Sequence, residues 1–333
     1  MKLDFKKICE ITFGAEEVIT KDGKFEFFRF NKDEYEVYKK YKDEDFQMKT
    51  QACSNIRLSF ITDSEKLKFK CEYHKGSSRT FSYFDIYEDG VLTNHVGTED
   101  YKIGEIKEFE VALNKGEKHV EIYFPWSAKI LIHSIEIDDG ASIEPKKRSG
   151  EMVMYGDSVT QGYDAHYPSF SYANQLARLL DLDSINKAIG GERFFPTLVE
   201  QATKREPKVV TVSYGSNDWS GSEYDEFVSK CTKFMDNIVQ TYKNSKIYVF
   251  TPIWRDDERR EVRMGIKLEQ IDSVIRDICK KYPQISVING RKFVPHNTEF
   301  YEDKFLHPND LGFSQHICNL YKALVTEQEK TKQ

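Results

Sequence analysis

Short runs that alternate apolar with polar residues recur through the first 140 positions of this 333-residue chain. Alternation with a period of two is typical of strands that bury one face, and turn residues such as Glu88-Asp89-Gly90 separate several of the runs. The pattern predicts strands over residues 25–30, 56–60, 67–73, 81–87, 119–124 and 130–137. We therefore expect residues 1–145 to form an all-β sandwich.

After residue 150 the pattern changes, and short apolar runs alternate with longer amphipathic stretches. The short runs predict strands over residues 152–154, 184–185, 209–213, 247–250 and 285–288. Apolar residues at helical spacing predict helices within residues 173–180, 227–242, 268–278 and 313–324. Strands alternating with helices predict a parallel sheet with helices on both faces over residues 150–330, joined to the sandwich by a polar linker.

Composition and charge exclude several classes of function. A net charge of −6 without a large basic cluster argues against nucleic-acid binding. No stretch approaches the roughly 20 apolar residues that span a bilayer, so we expect no membrane insertion. The first ten residues lack an apolar core for a signal peptide, and we expect a cytoplasmic protein. Six scattered cysteines predict neither a zinc site nor a disulfide framework.

Candidate chemistry is concentrated in four short segments of the second half. Three of them follow predicted strands, and the fourth precedes the last predicted helix; they are Tyr155–Gly162, Asn186–Gly191, Tyr214–Asp218 and Phe305–Asp310. In an open α/β sheet, ligands bind beyond the carboxyl ends of the strands, so side chains at those ends can converge on one pocket. A serine, a histidine and amide donors that meet there indicate acyl transfer.

Within these segments, Ser158 is the candidate nucleophile and His307 the candidate base, because a serine hydroxyl needs a base to take its proton. The backbone N–H groups of Ser158 and Gly191 and the side-chain amide of Asn217 are candidate donors to an oxyanion. Taken singly, the serine, glycine and asparagine segments fit a structural role better than a catalytic one, as a turn, a loop with positive φ or a helix cap, and His307 fits a surface residue equally well. Their combination in one chain favours the catalytic interpretation.

The four segments, in this order, resemble the SGNH (GDSL-like) hydrolase family over about residues 150–326. The resemblance implies a flavodoxin-like three-layer α/β/α domain with Ser158 as nucleophile and His307 as base. It also implies an oxyanion hole formed by Ser158, Gly191 and Asn217. Such a site needs no metal or organic cofactor, because the protein supplies both the nucleophile and the donors.

One position departs from the family pattern. The aspartate of the triad usually stands three residues before the histidine, and that position here is Lys304, whereas Asp303 stands four before. A one-residue bulge in the loop would let Asp303 reach His307 and complete a triad. Otherwise a backbone carbonyl would orient the imidazole and the site would be a Ser-His dyad.

A β-sandwich followed by such a domain is similar to the two-domain carbohydrate acetylesterases, which have an N-terminal jelly roll. The resemblance implies an acylated small-molecule or oligosaccharide substrate, with O-acetyl groups on sugars most favoured. Trp219 and Trp254 stand near strand ends and are candidates for stacking on a sugar ring, with core packing as the alternative. A lipase or thioesterase on the same scaffold, and a catalytically impaired carbohydrate-binding protein, are the alternative functions. A homo-oligomer is left open.

Overall fold

Three β-sheets organise the computed structural model, which describes residues 1–259 and 261–331. Two sheets are antiparallel and lie in residues 1–145, here called the jelly-roll half. The third is parallel and lies in residues 150–331, here called the parallel-sheet half. The elements of the jelly-roll half are α1 (Phe5–Ile11), β1 (Thr12–Phe13), β2 (Glu17–Lys21), β3 (Lys24–Phe28), α2 (Lys32–Tyr41), α3 (Glu44–Lys49), β4 (Arg57–Thr62), β5 (Lys66–Lys75), β6 (Ser82–Glu88), β7 (Val91–Thr98), β8 (Ile106–Ala112), β9 (Lys118–Tyr123), β10 (Ala128–Ile137) and β11 (Glu144–Pro145).

The jelly-roll half is a sandwich of two sheets with a buried aromatic core. One sheet has the order β2-β3-β10-β5-β8, and the other has the order β1-β4-β9-β6-β7 with β11 beside β4. Strands β3 to β10 switch between the two sheets in the order of a jelly roll. Phe60, Phe69, Phe84 and Phe124 fill the space between the sheets. The predicted sandwich is confirmed, and each predicted strand has a counterpart here.

Five strands were not predicted from the alternation: β1 and β11 have only two residues each, and the other three, β2, β7 and β8, lie at the outer ends of the two sheets. Most of their residues are exposed or half-buried, and Val111 in β8 is the one buried side chain among them. An edge strand packs less of its surface against neighbours than a central strand does, so its sequence carries a weaker apolar pattern. Their absence from the prediction follows from this position in the fold.

The expectation that residues 1–145 are all-β is corrected by helices α1, α2 and α3. Helix α2 begins with a capping box, in which the Asn31 side chain accepts from the backbone of Glu34 and the Glu34 side chain accepts from the backbone of Asn31. Residues 30–41, which include α2, pack outside the core of the sandwich. Phe30 and Tyr38 lie in the same hydrophobic core as Tyr155 of the parallel-sheet half. The domain boundary at residues 145–150 stays a prediction. Residues 30–41 precede that boundary in the sequence but pack against residues that follow it.

The parallel-sheet half has the strand order β13-β12-β14-β15-β16, which is that of the flavodoxin-like fold. Its elements are β12 (Glu151–Gly156), α4 (Ser158–Gln161), α5 (Tyr172–Leu179), β13 (Asp183–Asn186), α6 (Pro196–Glu200), β14 (Val209–Ser213), α7 (Ser216–Gly221), α8 (Tyr224–Thr241), β15 (Lys246–Phe250), α9 (Ile271–Cys279), β16 (Ile285–Ile288) and α10 (Asp310–Thr331). Short 3-10 helices occupy Pro168–Phe170, Asp256–Arg259, Leu268–Gln270, Gly290–Lys292 and Thr298–Phe300.

Alternate residues of β12 face two different cores, because successive side chains of a strand point to opposite faces. Val153 and Tyr155 pack in a core with helices α6, α8 and α9, whereas Met152 and Met154 pack in a core with α5 and α10. The predicted three-layer α/β/α fold is therefore confirmed. Over residues 1–259 and 261–331, the structure contains no helix with the length and apolar character to span a membrane.

Candidate active site

The candidate residues lie in the segments that follow three neighbouring strands of the parallel sheet and in the loop before α10. Strand β12 is flanked by β13 and β14; Ser158 begins α4 after β12, Gly191 lies in the loop after β13, and Asn217 lies in the first turn of α7 after β14. Hydrogen bonds join these segments: the backbone N–H of Gly190 donates to Gln161 Oε1 at 2.7 Å, and Asn217 Nδ2 donates to the carbonyl of Glu192 at 3.0 Å. The predicted convergence at the carboxyl edge is what the fold produces.

Ser158 and His307 are in direct contact. The Oγ of Ser158 lies 2.8 Å from Nε2 of His307, and the serine is 5% exposed at the start of α4. The side chain of Asp157 caps this short helix by accepting from the backbone N–H of Val159 at 3.1 Å. Burial raises the pKa of Asp157 to about 6. Because Nε2 faces the hydroxyl, the neutral imidazole can accept the serine proton.

Asp303 holds the opposite side of the imidazole. Its Oδ2 lies 2.7 Å from Nδ1 of His307, and its Oδ1 accepts from the backbone N–H groups of Phe305, Leu306 and His307 at 2.9, 2.8 and 3.1 Å. Burial alone would raise the pKa of Asp303, but the hydrogen bonds from His307 and the backbone hold it well below its ordinary value. The carboxylate is therefore charged at neutral pH, and its Oδ2 lies within hydrogen-bond distance of Nδ1.

The loop accommodates the unusual spacing at Lys304, whose φ is 57°, in the left-handed region that lysine rarely adopts. Two backbone hydrogen bonds close the loop, from Glu302 to the carbonyl of His307 at 2.9 Å and from Lys304 to the carbonyl of Tyr301 at 3.2 Å. With the extra residue turned out in this way, Asp303 reaches the ring from four positions before His307. The geometry thus follows the bulged-loop alternative, in which a carboxylate opposes Nδ1.

The candidate oxyanion donors are the backbone N–H groups of Ser158 and Gly191 and the side-chain amide of Asn217. Gly191 has a φ of +87°, which a residue with a side chain adopts only with strain. The amide of Asn217 uses one N–H toward Glu192, and a carboxamide carries a second N–H. The backbone N–H of Ser158 lies at the start of α4. The structure thus places one candidate donor after each of the strands β12, β13 and β14.

Trp219 and Trp254 do not form a surface for sugar stacking, which corrects the expectation for both residues. Their exposed fractions are 0% and 1%. Trp219 donates its Nε1–H to the carbonyl of Ile266 at 2.9 Å, and Trp254 stacks on His296 with ring centroids 5.5 Å apart. A large indole gains much free energy from burial, and these two positions beside the sheet allow it. Core packing, the alternative interpretation, is what the structure shows.

Two residues that the sequence did not single out, Asp164 and Arg79, form an ion pair whose carboxylate lies beside His307. Oδ2 of Asp164 lies 3.7 Å from Nδ1 of His307. Arg79 of the jelly-roll half donates to both oxygens of Asp164, from Nε at 2.6 Å and from Nη2 at 2.8 Å. Arg79 and Asp164 are separated by 85 positions, so no local motif could connect them. Gln161 lies inside a predicted segment, but its contact with the backbone of Gly190 gave no signal in the sequence.

Asp164, Asp303 and His307 bring carboxylate and imidazole atoms within 4.8 Å of one another, a separation that would suit a metal ion. Each group is already engaged otherwise. Asp164 is paired with Arg79, and Asp303 bonds both Nδ1 of His307 and backbone N–H groups. We therefore assign these atoms to the hydrogen-bond network of the histidine and not to metal binding. A site without cofactor or metal stays a prediction.

Comparison with known proteins agrees with this fold. Residues 154–314 match the model of the GDSL-like Lipase/Acylhydrolase family. The chain therefore carries a GDSL-like lipase/acylhydrolase domain, as its four segments predicted. A search of curated protein sequences found no match.

Solved structures share the fold of nearly the whole chain. The salicylyl-acyltransferase SsfX3 from a tetracycline biosynthetic pathway is 18% identical, with a TM-score of 0.83 over 95% of this chain and 94% of that chain. A GDSL-like lipase candidate from Bacteroides ovatus is 17% identical, with a TM-score of 0.79 over 99% and 98%. A family two carbohydrate esterase from Cellvibrio japonicus is 14% identical, with a TM-score of 0.67 over 95% and 94%. These structures thus share the two-part fold of this chain.

Proposed function

We propose that this protein is a serine esterase that hydrolyses small acyl esters, with acetyl groups on carbohydrate hydroxyls as its substrates. One observation carries the proposal: the imidazole of His307 bridges Ser158 Oγ at 2.8 Å and Asp303 Oδ2 at 2.7 Å. This is the relation of nucleophile, base and orienting acid that serine hydrolases use. The match to a lipase and acylhydrolase family supports the same reaction class.

Acylation of the enzyme follows from this geometry. Oγ of Ser158 forms a bond to the ester carbonyl carbon while its proton passes to Nε2 of His307, and the carbonyl electron pair moves onto the oxygen. When the tetrahedral intermediate collapses, the bond to the alcohol breaks and the alcohol takes the proton from Nε2. Asp303 stabilises the imidazolium between these two steps and keeps the ring oriented.

The tetrahedral oxyanion would be held by the backbone N–H groups of Ser158 and Gly191 and by the second amide N–H of Asn217. A donor of this kind lowers the barrier by about 3–4 kcal/mol, because it is fixed in place before the charge develops. Water then attacks the acyl-serine carbonyl and gives its proton to Nε2 of His307. The same donors hold the second oxyanion, and collapse returns the proton to Ser158 and releases the acid.

The carbohydrate part of the proposal rests on architecture. The family two carbohydrate esterase from Cellvibrio japonicus shares the two-part arrangement over 95% of this chain. The two buried tryptophans supply no stacking surface, so other residues would contact the sugar. A lipase or thioesterase is the alternative, and the length of the acyl chain separates the two. An acetylesterase loses activity steeply from acetyl to octanoyl esters, whereas a lipase retains it.

Hydrolysis of p-nitrophenyl acetate tests the reaction class. We expect the wild-type protein to be active and Ser158→Ala and His307→Gln to lose roughly 10⁴-fold or more in kcat, because each removes a member of a unit that acts together. Ser273→Ala, which changes an exposed serine of α9, is the control and should match the wild type. Equal inertness of wild type and Ser158→Ala would contradict the proposal and favour the carbohydrate-binding alternative.

The substrate class needs its own measurement. Release of acetate from acetylated oligosaccharides should exceed release from a short aliphatic acetate, and activity should fall along the series of acetyl, butyryl and octanoyl p-nitrophenyl esters. If activity stays constant or rises with acyl-chain length, the protein would still be a serine esterase, but the proposed preference for acetyl esters would be wrong.

A further inference from the structure

The imidazole of His307 faces a second carboxylate in addition to Asp303. Oδ2 of Asp164 lies 3.7 Å from Nδ1, and the Asp164 side chain is 1% exposed. Asp303 is on the same loop as His307, whereas Asp164 is on the loop that follows α4. A buried carboxylate at this distance from an imidazole interacts with it strongly, because little water screens the charge. The proposed reaction does not require this second acid, so its presence needs an explanation.

The charge of Asp164 is balanced by a residue of the jelly-roll half. Arg79, on the loop between β5 and β6, donates from Nε to Oδ1 at 2.6 Å and from Nη2 to Oδ2 at 2.8 Å. The hydrogen bond to Asp164 raises the pKa of Arg79, so the guanidinium is charged throughout the working range. A bidentate pair of this kind fixes both the position and the charge of the carboxylate.

A second contact from the jelly-roll half holds the same loop. Trp126 donates its Nε1–H to the carbonyl of Ala165 at 2.7 Å, and Gly162 at the start of the loop has a φ of 110°. Asp164 itself has a φ of 69°, a conformation that aspartate and asparagine tolerate better than most residues. Contacts that cross the boundary between the halves, from Arg79 and from Trp126, therefore hold the Asp164 side chain beside the imidazole.

The balance of charge around the imidazole decides how easily it is protonated. Asp303 and Asp164 face Nδ1, the ring of Tyr163 lies 5.4 Å from the imidazole, and Arg79 stands behind Asp164. Asp157 at the end of β12 also interacts electrostatically with His307. Two unbalanced carboxylates at Nδ1 would favour the imidazolium, which cannot accept the proton of the serine. Arg79 cancels the charge of one of them.

We propose that Arg79 is a positioning residue for His307: its ion pair with Asp164 holds a second, charge-balanced carboxylate beside Nδ1 and so sets the pH range in which the histidine can act as a base. The jelly-roll half thereby tunes the catalytic site without touching the substrate or the reacting atoms. The test by activity rests on the proposed esterase function.

The pH dependence of kcat/KM for p-nitrophenyl acetate separates the two partners, because their removal has opposite effects. Arg79→Gln leaves Asp164 unbalanced, and the midpoint of the acid limb should move to higher pH by about one unit. Asp164→Asn leaves Arg79 unbalanced, and the midpoint should move to lower pH by a similar amount. The double variant should return close to the wild type, and Arg79→Lys, which retains the charge, should move the limb least.

Arg276→Gln is the matched control, because Arg276 also forms a two-point ion pair with an aspartate, Asp272, but on helix α9. It should leave the acid limb in place. A purely structural role for Arg79 would lower kcat/KM equally at all pH values, and a fixed midpoint would overturn the proposal. If thermal melting shows that Arg79→Gln does not fold, Asp164→Asn decides alone: a midpoint that stays or rises overturns the proposal.

An NMR titration of the His307 imidazole in the Ser158→Ala background gives a reading that needs no substrate. With Arg79→Gln the ring should titrate at higher pH, and with Asp164→Asn at lower pH. If the titration moves while no ester is hydrolysed, only the proposed function fails. If esters are hydrolysed and both titrations match the parent, only the role of Arg79 fails.

Discussion

The two halves of the molecule contribute to the site in different ways. In the parallel-sheet half, Ser158, Gly191 and Asn217 follow three adjacent strands, so the sheet itself brings the candidate reacting groups together. In the jelly-roll half, Arg79 and Trp126 reach the same site from loops, across contacts that join distant positions in the sequence. The parallel-sheet half thus carries the candidate reacting groups, and both halves hold them in place.

The two carboxylates beside His307 show this difference at atomic scale. Asp303 belongs to the same short loop as the histidine, and three backbone N–H groups of that loop hold its Oδ1. Asp164 is held by a guanidinium from the other half. We therefore expect loss of Asp303 to impair the reaction itself and loss of the Asp164 pair to change its pH range.

Among the variants that test this contrast, Asp303→Asn should have the largest effect. We expect kcat for p-nitrophenyl acetate to fall by about 10³–10⁴-fold, because an asparagine neither holds the required tautomer nor stabilises the imidazolium. Asp277→Asn, at an exposed position of α9, should have no effect. A loss of less than tenfold would show that the site acts as a dyad, and the contrast between the two carboxylates would then disappear.

A smaller loss should follow from Asn217→Ala. The variant removes a proposed oxyanion donor, so kcat should fall by about 10²–10³-fold while KM changes little. Steady-state kinetics beside Asn244→Ala, which changes a residue of a surface turn, provides the check. An unchanged kcat would remove Asn217 from the site and leave the donors to the backbone.

The smallest effect should come from Trp126→Phe in the jelly-roll half. The variant leaves the buried carbonyl of Ala165 without its donor, which costs about 1–3 kcal/mol of stability, and kcat should fall several-fold as the loop loosens. Tyr87→Phe is the control: it also loses one hydrogen bond between the halves, to Ser169 at 3.0 Å, but away from His307.

Thermal melting and kcat measured together test this pair. We expect both variants to melt at lower temperature and only Trp126→Phe to lose activity. Equal losses of kcat in the two variants would mean that hydrogen bonds between the halves affect activity only through the stability of the whole fold.

The same contrast between the halves explains what the sequence could predict. The strands and main helices of the parallel-sheet half follow local apolar periodicity, and β14 and β16 have the predicted bounds. In the jelly-roll half, the edge strands carry a weak pattern, and α2 went unpredicted although its capping residues, Asn31 and Glu34, are present in the sequence. The apolar periodicity of core elements was readable, whereas the weak pattern of the edge strands and the capping residues of α2 were not enough to predict those elements.

The candidate site divides in the same way. Ser158 and His307 could be identified from motifs. The contact of Asp303 with His307 depends on the left-handed backbone of Lys304, and nothing in the sequence predicts that conformation for a lysine. Arg79 and Asp164 meet only in the folded chain. From the sequence, Trp219 and Trp254 are candidates for stacking on a sugar ring. Only the packing around them shows that they belong to the core.

Trapping of the acyl-enzyme tests the central claim most directly. The wild-type protein is mixed with p-nitrophenyl acetate, quenched in acid during the first turnovers, digested and examined by mass spectrometry. We predict one acetyl group on the peptide that contains Ser158, and none on the corresponding peptide of Ser158→Ala. An acetyl group at another residue with equal turnover by Ser158→Ala, or hydrolysis at the wild-type rate by that variant, would contradict the assignment of Ser158 as the nucleophile.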